Sequence, residues 1–296
     1  MQSFKELLST VEKTDKKTVV VIAADEHSIE AALEGEKKGL VRPVFTGDSD
    51  LIRNTLKKLG AEGNYEIHDA ASLEESAEAG VRLVSSGGAH MILKGAIDTA
   101  ILLRAVLNKE WGLGTGNILS HIALLEIPTY HKLFIITDGG MIPYPDLAKK
   151  KIILESAVKA MHSLGVSEPK VACLAAVEKP SEKLPETMDA LHLKEMNQKG
   201  EIAGCIVEGP ISFDLAFDPD SASLKNYDSP VSGDADIFLV PDFVTGNILS
   251  KSMIYAGKAK MAGMVVGAKV PILLTSRAST AEEKFLSLAL AAAMDQ

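Results

Sequence analysis

Near the carboxyl end of the chain an apolar run, Val270-Pro-Ile-Leu-Leu-Thr275, leads straight into Ser276 and Arg277, and a helix-forming stretch follows. Open α/β sheets hold ligands beyond the carboxyl ends of their strands, so this hydroxyl and this guanidinium stand where chemistry is done. A guanidinium keeps its charge at any working pH and can donate two parallel hydrogen bonds to a phosphate or carboxylate. The pair therefore predicts an anionic substrate. Ser276 lacks the flanking glycines of a nucleophile elbow and has no histidine near it in sequence, which favours a hydroxyl donor over an attacking nucleophile. A helix-capping or turn serine is the plain alternative.

Other segments carry weaker signals. Thr245-Gly-Asn247 reads as a turn before a helix on which Asn247, Lys251, Tyr255 and Lys258 share a face at spacings of four, four and three. Free amides at that helix start would suit a phosphate or pyrophosphate. Gly95, Asp138 and Gly139 end strands, where glycine permits close approach of a ligand or simply a tight turn. Thr280 and Glu283 have the spacing of a capping box, as do Ser279 and Glu282. The seven histidines are scattered and no metal site is predicted, and the G-x-G fragment at Gly112 to Gly114 is neither a dinucleotide fingerprint nor a P-loop.

The run Asp236 to Pro241, the segment Thr245-Gly-Asn-Ile-Leu-Ser-Lys251 and the Ser276-Arg277 pair together resemble the phosphate acyltransferases, the family of phosphate acetyltransferase and phosphate butyryltransferase. Ala176-Val-Glu-Lys179 and Glu208-Gly-Pro-Ile-Ser-Phe-Asp214 look more like the butyryl branch. The resemblance spans nearly the whole chain. It implies two α/β domains with mainly parallel sheets and an interdomain cleft, as in isocitrate and isopropylmalate dehydrogenases. It also implies reversible transfer of a butyryl or branched short-chain acyl group between coenzyme A and inorganic phosphate in a ternary complex. In that comparison Arg277 holds phosphate, Ser276 supports the oxyanion or thiol, and Glu283, where the acetyl branch has Asp, is base for the thiol or only a helix cap. Thr245, Asn247, Lys251, Gly95, Asp138, Gly139 and Arg104, the last in Asp98-Thr-Ala-Ile-Leu-Leu-Arg104, are substrate-binding candidates. Coenzyme A is a substrate, no cofactor is tightly bound, and a homodimer is implied. Two rivals stand beside this reading: a metal- and nicotinamide-dependent dehydrogenase of the same fold, for which Asp214, Asp218 and Asp220 are the one local acidic cluster, and a non-catalytic sensor of acyl-CoA or acyl phosphate.

These residues need a framework. From Thr18 onward, strand-length apolar runs alternate with amphipathic helical stretches, the pattern of βα units and a mainly parallel sheet. The cluster Asp138-Gly-Gly-Met-Ile-Pro-Tyr-Pro145 marks a domain crossing. The resemblance implies that the chain later returns, giving one domain of residues 1–142 plus 264–296, which carries the Ser-Arg motif, and a second of residues 143–263 for dimerisation. Ser221 to Asp234 reads as a surface loop. Apolar positions around Ile153, Val158 and Met161 serve either a core or an interface. With 296 residues, 46% of them hydrophobic, core material is ample. A net charge of −9 with no basic run argues against nucleic acid, and no apolar stretch suits a signal peptide or a membrane span, so the cytoplasm is expected. Cys173 and Cys205 each lie in an apolar run and are expected to be buried.

Overall fold

The computed structural model describes residues 1–11, 16–61, 63–275 and 279–294. The chain divides into two compact units, residues 5–119 with 262–296 and residues 1–4 with 120–261. By their place in the chain they are called the flanking and the central unit. After the short N-terminal segment the chain crosses at 119/120, ahead of the Gly and Pro cluster after residue 137, and the strand preceding that cluster pairs with strands of the central unit. The later crossing lies at 261/262.

The flanking unit runs α1 (Phe4–Val11), β1 (Lys17–Ile22), α2 (Glu26–Lys37), β2 (Val41–Gly47), α3 (Ser49–Lys58), β3 (Ile67–Asp69), α4 (Leu73–Ser85), β4 (Met91–Lys94) and α5 (Thr99–Val106). Helices start where acceptors sit: Asp25, Asp48 and Ser72 each accept a hydrogen bond from an amide of the first turn. β1, β2 and β4 are almost wholly buried, as strands covered on both faces are.

The central unit holds β5 (Ser120–Glu126), β6 (Phe134–Thr137), α6 (Leu147–Ser163), β7 (Lys170–Leu174), α7 (Pro185–Gln198), β8 (Ile206–Ile211), α8 (Phe213–Phe217), α9 (Pro219–Leu224), β9 (Ile237–Leu239) and α10 (Phe243–Tyr255). Its strands run in the order β5-β6-β9-β7-β8, parallel except for the β5-β6 hairpin. Tyr130, Phe134, Phe217 and Phe238 pack ring against ring in its core, and the Tyr130 hydroxyl donates to Ala235 O at 2.9 Å. Ile153, Val158 and Met161 are buried on α6, at most 5% exposed, which settles them as packing residues.

The chain then forms β10 (Lys260–Val266), β11 (Ile272–Leu273) and α11 (Ala281–Ala293). The flanking sheet has the order β3-β2-β1-β4-β11-β10, with β10 antiparallel to β11 and the other pairs parallel. Two α/β units with mainly parallel sheets are thus present, as the alternation of apolar runs predicts. The loop expected over Ser221 to Asp234 begins instead with the end of α9, capped by the Asp218 carboxylate. Both cysteines are buried, and burial pushes the Cys205 thiol up to about 11 and the Cys173 thiol higher still.

Candidate functional site

In the flanking sheet the strand order reverses beside β1: β2 and β3 extend to one side of it and β4 lies on the other. Such a reversal opens a crevice at the carboxyl ends of the two central strands. Gly95 sits there. Its N–H donates to Ile22 O at 2.9 Å, the next N–H donates to Ala23 O at 2.8 Å, and a Cβ on Gly95 would meet Ala23 O at 2.1 Å. The close approach that requires glycine is therefore to the neighbouring strand.

Thr275, which precedes Ser276 in the chain, is 8% exposed. Ser276 and Arg277 lie outside the described residues. Of the two possible capping boxes the one at Thr280 forms: its hydroxyl accepts from Glu283 N at 3.2 Å and Glu283 Oε2 accepts from Thr280 N at 3.1 Å. That role accounts for the Glu283 carboxylate structurally, beside any part in proton transfer. Arg104 is exposed in the last turn of α5, where a cation is favoured by the helix dipole.

Beside Thr275 the structure brings together two lysines that sequence reasoning left out. Lys94 and Lys284 are 3% and 4% exposed. Lys284 Nζ donates to Lys94 O and Thr275 Oγ1, both at 3.3 Å. Burial lowers the pKa of Lys284, an effect opposed by the charges of Asp25 and Glu283. A signal was present in the sequence: Lys284 shares a helical face with Ser287, Leu288 and Ala291, all buried.

The central unit gathers Asp138, Gly139, Thr245 and Asn247. Asp138, 2% exposed, accepts hydrogen bonds from the amides of Gly140 and Met141, each at 2.8 Å, and of Ile142 at 3.2 Å. Burial raises its pKa, and those amides with His121 work against the rise. Its carboxylate thus organises the turn after β6. Gly139 lies against the first turn of α10, where an added Cβ would meet Gly246 C at 2.7 Å, and Asn247 Nδ2 donates to Gly139 O at 3.2 Å.

Thr245-Gly-Asn247 is part of α10, not a turn before it. The N-cap is Asp242, whose carboxylate accepts from Thr245 N at 2.8 Å. An acidic cap already satisfies this amide and repels an anion, so the expected free-amide site is not formed there. Lys251 is exposed on α10, and Lys258 falls beyond the end of the helix in a left-handed turn at φ 57°. Nothing in the central unit holds Lys258 to the face of Asn247.

A pocket of about 870 Å³ opens in the central unit, lined by Tyr144, Leu174, Phe213, Val244 and Ile248, with the Lys150–Asp189 pair at its wall. That pair is 2.7 Å long and its side chains are 7% and 25% exposed. The segments around Glu178 and Glu208 brace the loop after α9: Ser212 donates to Glu178, Ser229 donates to Glu208 at 2.9 Å, and Lys225 pairs with Asp214 at 2.7 Å. Hydrogen bonds from Lys225 and Ser212 hold the Asp214 carboxyl at about 2. Asp214 is engaged by Lys225 and Asp218 caps α9, so two of the three carboxylates of the acidic cluster have structural employment.

Residues 48–292 match the family described as phosphate acetyl/butaryl transferase. A phosphate butyryltransferase of Clostridium acetobutylicum is 40% identical over 99% of this chain and 98% of its own length. A phosphate acetyltransferase of Thermotoga maritima is 38% identical over 94% of each chain. Among solved structures, a branched-chain phosphotransacylase from Enterococcus faecalis V583 matches with a TM-score of 0.82 at 32% identity, covering 94% of this chain and 98% of its own.

Proposed function

We propose, from the premise that this chain belongs to the phosphate acetyl/butyryl transferase family, that it reversibly transfers a butyryl or branched short-chain acyl group between coenzyme A and inorganic phosphate. The observation that carries this reading is the end-to-end likeness at 40% identity to a phosphate butyryltransferase. The dehydrogenase and sensor alternatives gain nothing comparable.

In the direction of thioester synthesis, the thiol of coenzyme A gives up its proton and the sulfur attacks the acyl phosphate carbonyl. A C–S bond forms, the bond between the carbonyl carbon and the phosphate oxygen breaks, and the departing phosphate takes up the proton. This needs a cation for phosphate, a donor for the oxyanion and a base for the thiol. Arg277, Ser276 and Glu283 are proposed for these roles, with Arg104, Gly95, Asp138, Gly139, Thr245, Asn247 and Lys251 as binding candidates. Among these the geometry gives Gly95, Asp138 and Gly139 clear backbone duties. No tightly bound cofactor is proposed.

A homodimer in the cytoplasm completes the reading. What supports the dimer is exposed apolar surface on the central unit: Tyr144, Val244, Ile248 and Tyr255 are 77%, 47%, 60% and 67% exposed.

The test is thioester formation from coenzyme A and acetyl, butyryl or isobutyryl phosphate, followed by ultraviolet absorbance. Turnover with the four-carbon substrates ahead of acetyl phosphate is expected. Binding of coenzyme A without turnover of any acyl phosphate would replace the enzyme by a sensor. Sedimentation equilibrium checks the dimer.

A further inference from the structure

The central sheet has a reversal of its own. From β7 the chain passes through α7 to β8 on one side, whereas from the neighbouring β9 it enters α10, which packs against β6 on the other. Adjacent strands whose helices part in this way leave a crevice beyond their carboxyl ends, the place where open α/β sheets hold ligands. The pocket of about 870 Å³ lies there, a size that suits a small organic molecule. Leu174 and Ala176 line it after β7, Glu186 and Asp189 from the first turns of α7, and Asp242 and Ile248 from the start of α10. Every lining residue belongs to the central unit, so the pocket is complete within it. Apart from Thr245, no residue proposed above for acyl transfer takes part.

The walls select by charge. Four charged side chains line the pocket, Lys150, Glu186, Asp189 and Asp242, and Lys150 is neutralised by Asp189 at 2.7 Å. Neither Glu186 nor Asp242 has an ion-pair partner among the described residues. Both stand at helix starts, where each dipole offsets about half a charge, so roughly one negative charge is left over. Tyr144 and Phe213 add aromatic rings, whose faces attract a cation. Anionic coenzyme A and orthophosphate are disfavoured by the same surplus.

We propose that this pocket binds an organic ammonium with an apolar body, a ligand outside the acyl-transfer reaction. Glu186, Asp242 and the two ring faces meet the ammonium, and Leu174 and Ile248 meet the body. The plain alternatives are that the carboxylates only start their helices, or that a second copy covers the pocket, since Tyr144, Val244 and Ile248 also belong to the face offered above for the dimer.

Isothermal titration of the purified full chain with 4-phenylbutylammonium, 4-phenylbutanol and 4-phenylbutyrate, alike in shape and unlike in charge, decides between them. The cation is expected to bind about tenfold or more tighter than the alcohol, the range of one charge-assisted hydrogen bond, and the anion weakest. A176W, at an exposed lining position, should fill the pocket and abolish binding of all three while thioester synthesis is unchanged. E186Q/D242N keeps both side-chain acceptors and should bring the cation down to the level of the alcohol. If that double variant does not fold, E186Q alone must show the loss. Equal affinity for the three probes, undiminished binding to A176W, an unchanged cation preference in the folded charge variant, or displacement of the cation by coenzyme A overturns the proposal. So does binding that appears only on dilution to the monomer, which gives the pocket to the second copy. No step of acyl transfer enters these titrations, so a wild type that makes no thioester counts against the reaction and not against this site.

Discussion

Replacing Gly95 by Ala should unseat the middle of the flanking sheet. The new methyl would stand 2.1 Å from Ala23 O, 2.8 Å from Ala23 C and 2.8 Å from Ile22 O. Ordinary contact begins near 3.4 Å, so β1 and β4 must part by about 1.3 Å at their carboxyl ends, and every opposing atom is backbone that cannot rotate away. That movement breaks the bonds from Gly95 N to Ile22 O and from Ala96 N to Ala23 O, each worth about 1 kcal/mol. Strain of about 1–3 kcal/mol adds to the loss, for a total of roughly 3–5 kcal/mol. At ~2–4 °C per kcal/mol for domains of this size, melting should fall by roughly 6–20 °C. Differential scanning calorimetry measures it. Gly87 provides the control: it has φ 83° with nothing within 4 Å of an added Cβ, so G87A should cost only about 1–2 kcal/mol from the left-handed backbone. A G95A protein that melts within 2 °C of the wild type, or no lower than G87A, would refute the packing argument.

Glu283 can be divided between its two roles. T280A should cost about 1 kcal/mol in urea unfolding, whereas E283Q keeps the side-chain acceptor and should unfold like the wild type. If E283Q also keeps full thioester synthesis, the base is elsewhere; a loss of about 10²–10⁴ marks proton transfer. For Asp234, burial alone would raise the carboxyl pKa, but hydrogen bonds from Lys132, Lys170 and His131 outweigh it and hold the pKa well below the ordinary value. Its stabilising contribution is therefore present above an unfolded pKa of about 3.9 and is lost as pH falls through and below that value, so D234N should flatten the acid limb of stability there. D189A strands Lys150 inside the central unit and should cost about 3–5 kcal/mol in denaturant unfolding. A K150M/D189L double variant is expected to regain most of it.

Local signals proved readable and distant convergence did not. The start of α11 was written in Thr280 and Glu283, three residues apart, because a capping box is satisfied within one turn. Alternating apolar runs likewise announced the parallel strands. Val270 to Thr275 is too long a strand, since the register with β4 covers Ile272 and Leu273, with Pro271 O accepting from Ile92 N at its start. β10 was obscured by its internal Gly263, whose N–H is bound by Ser287 Oγ at 2.9 Å, a partner 24 residues away. The start of α10 was misplaced because Phe243 and Val244 hide the cap Asp242 behind two apolar residues. Lys94 and Lys284 meet across 190 positions, and no spacing rule connects them.

The order in which the strands are made has a consequence for the nascent chain. β4 pairs with β1 on one side and with β11 on the other, and β11 leaves the ribosome long after β4, behind the whole of the central unit. Until then the half-built flanking sheet offers a row of open amides and carbonyls, the kind of edge on which chains misassemble. Residues 120–261, by contrast, have emerged with all five strands of their own sheet by then. Co-translational proteolysis should find residues 120–261 resistant first, and residues 5–119 only once β11 has emerged.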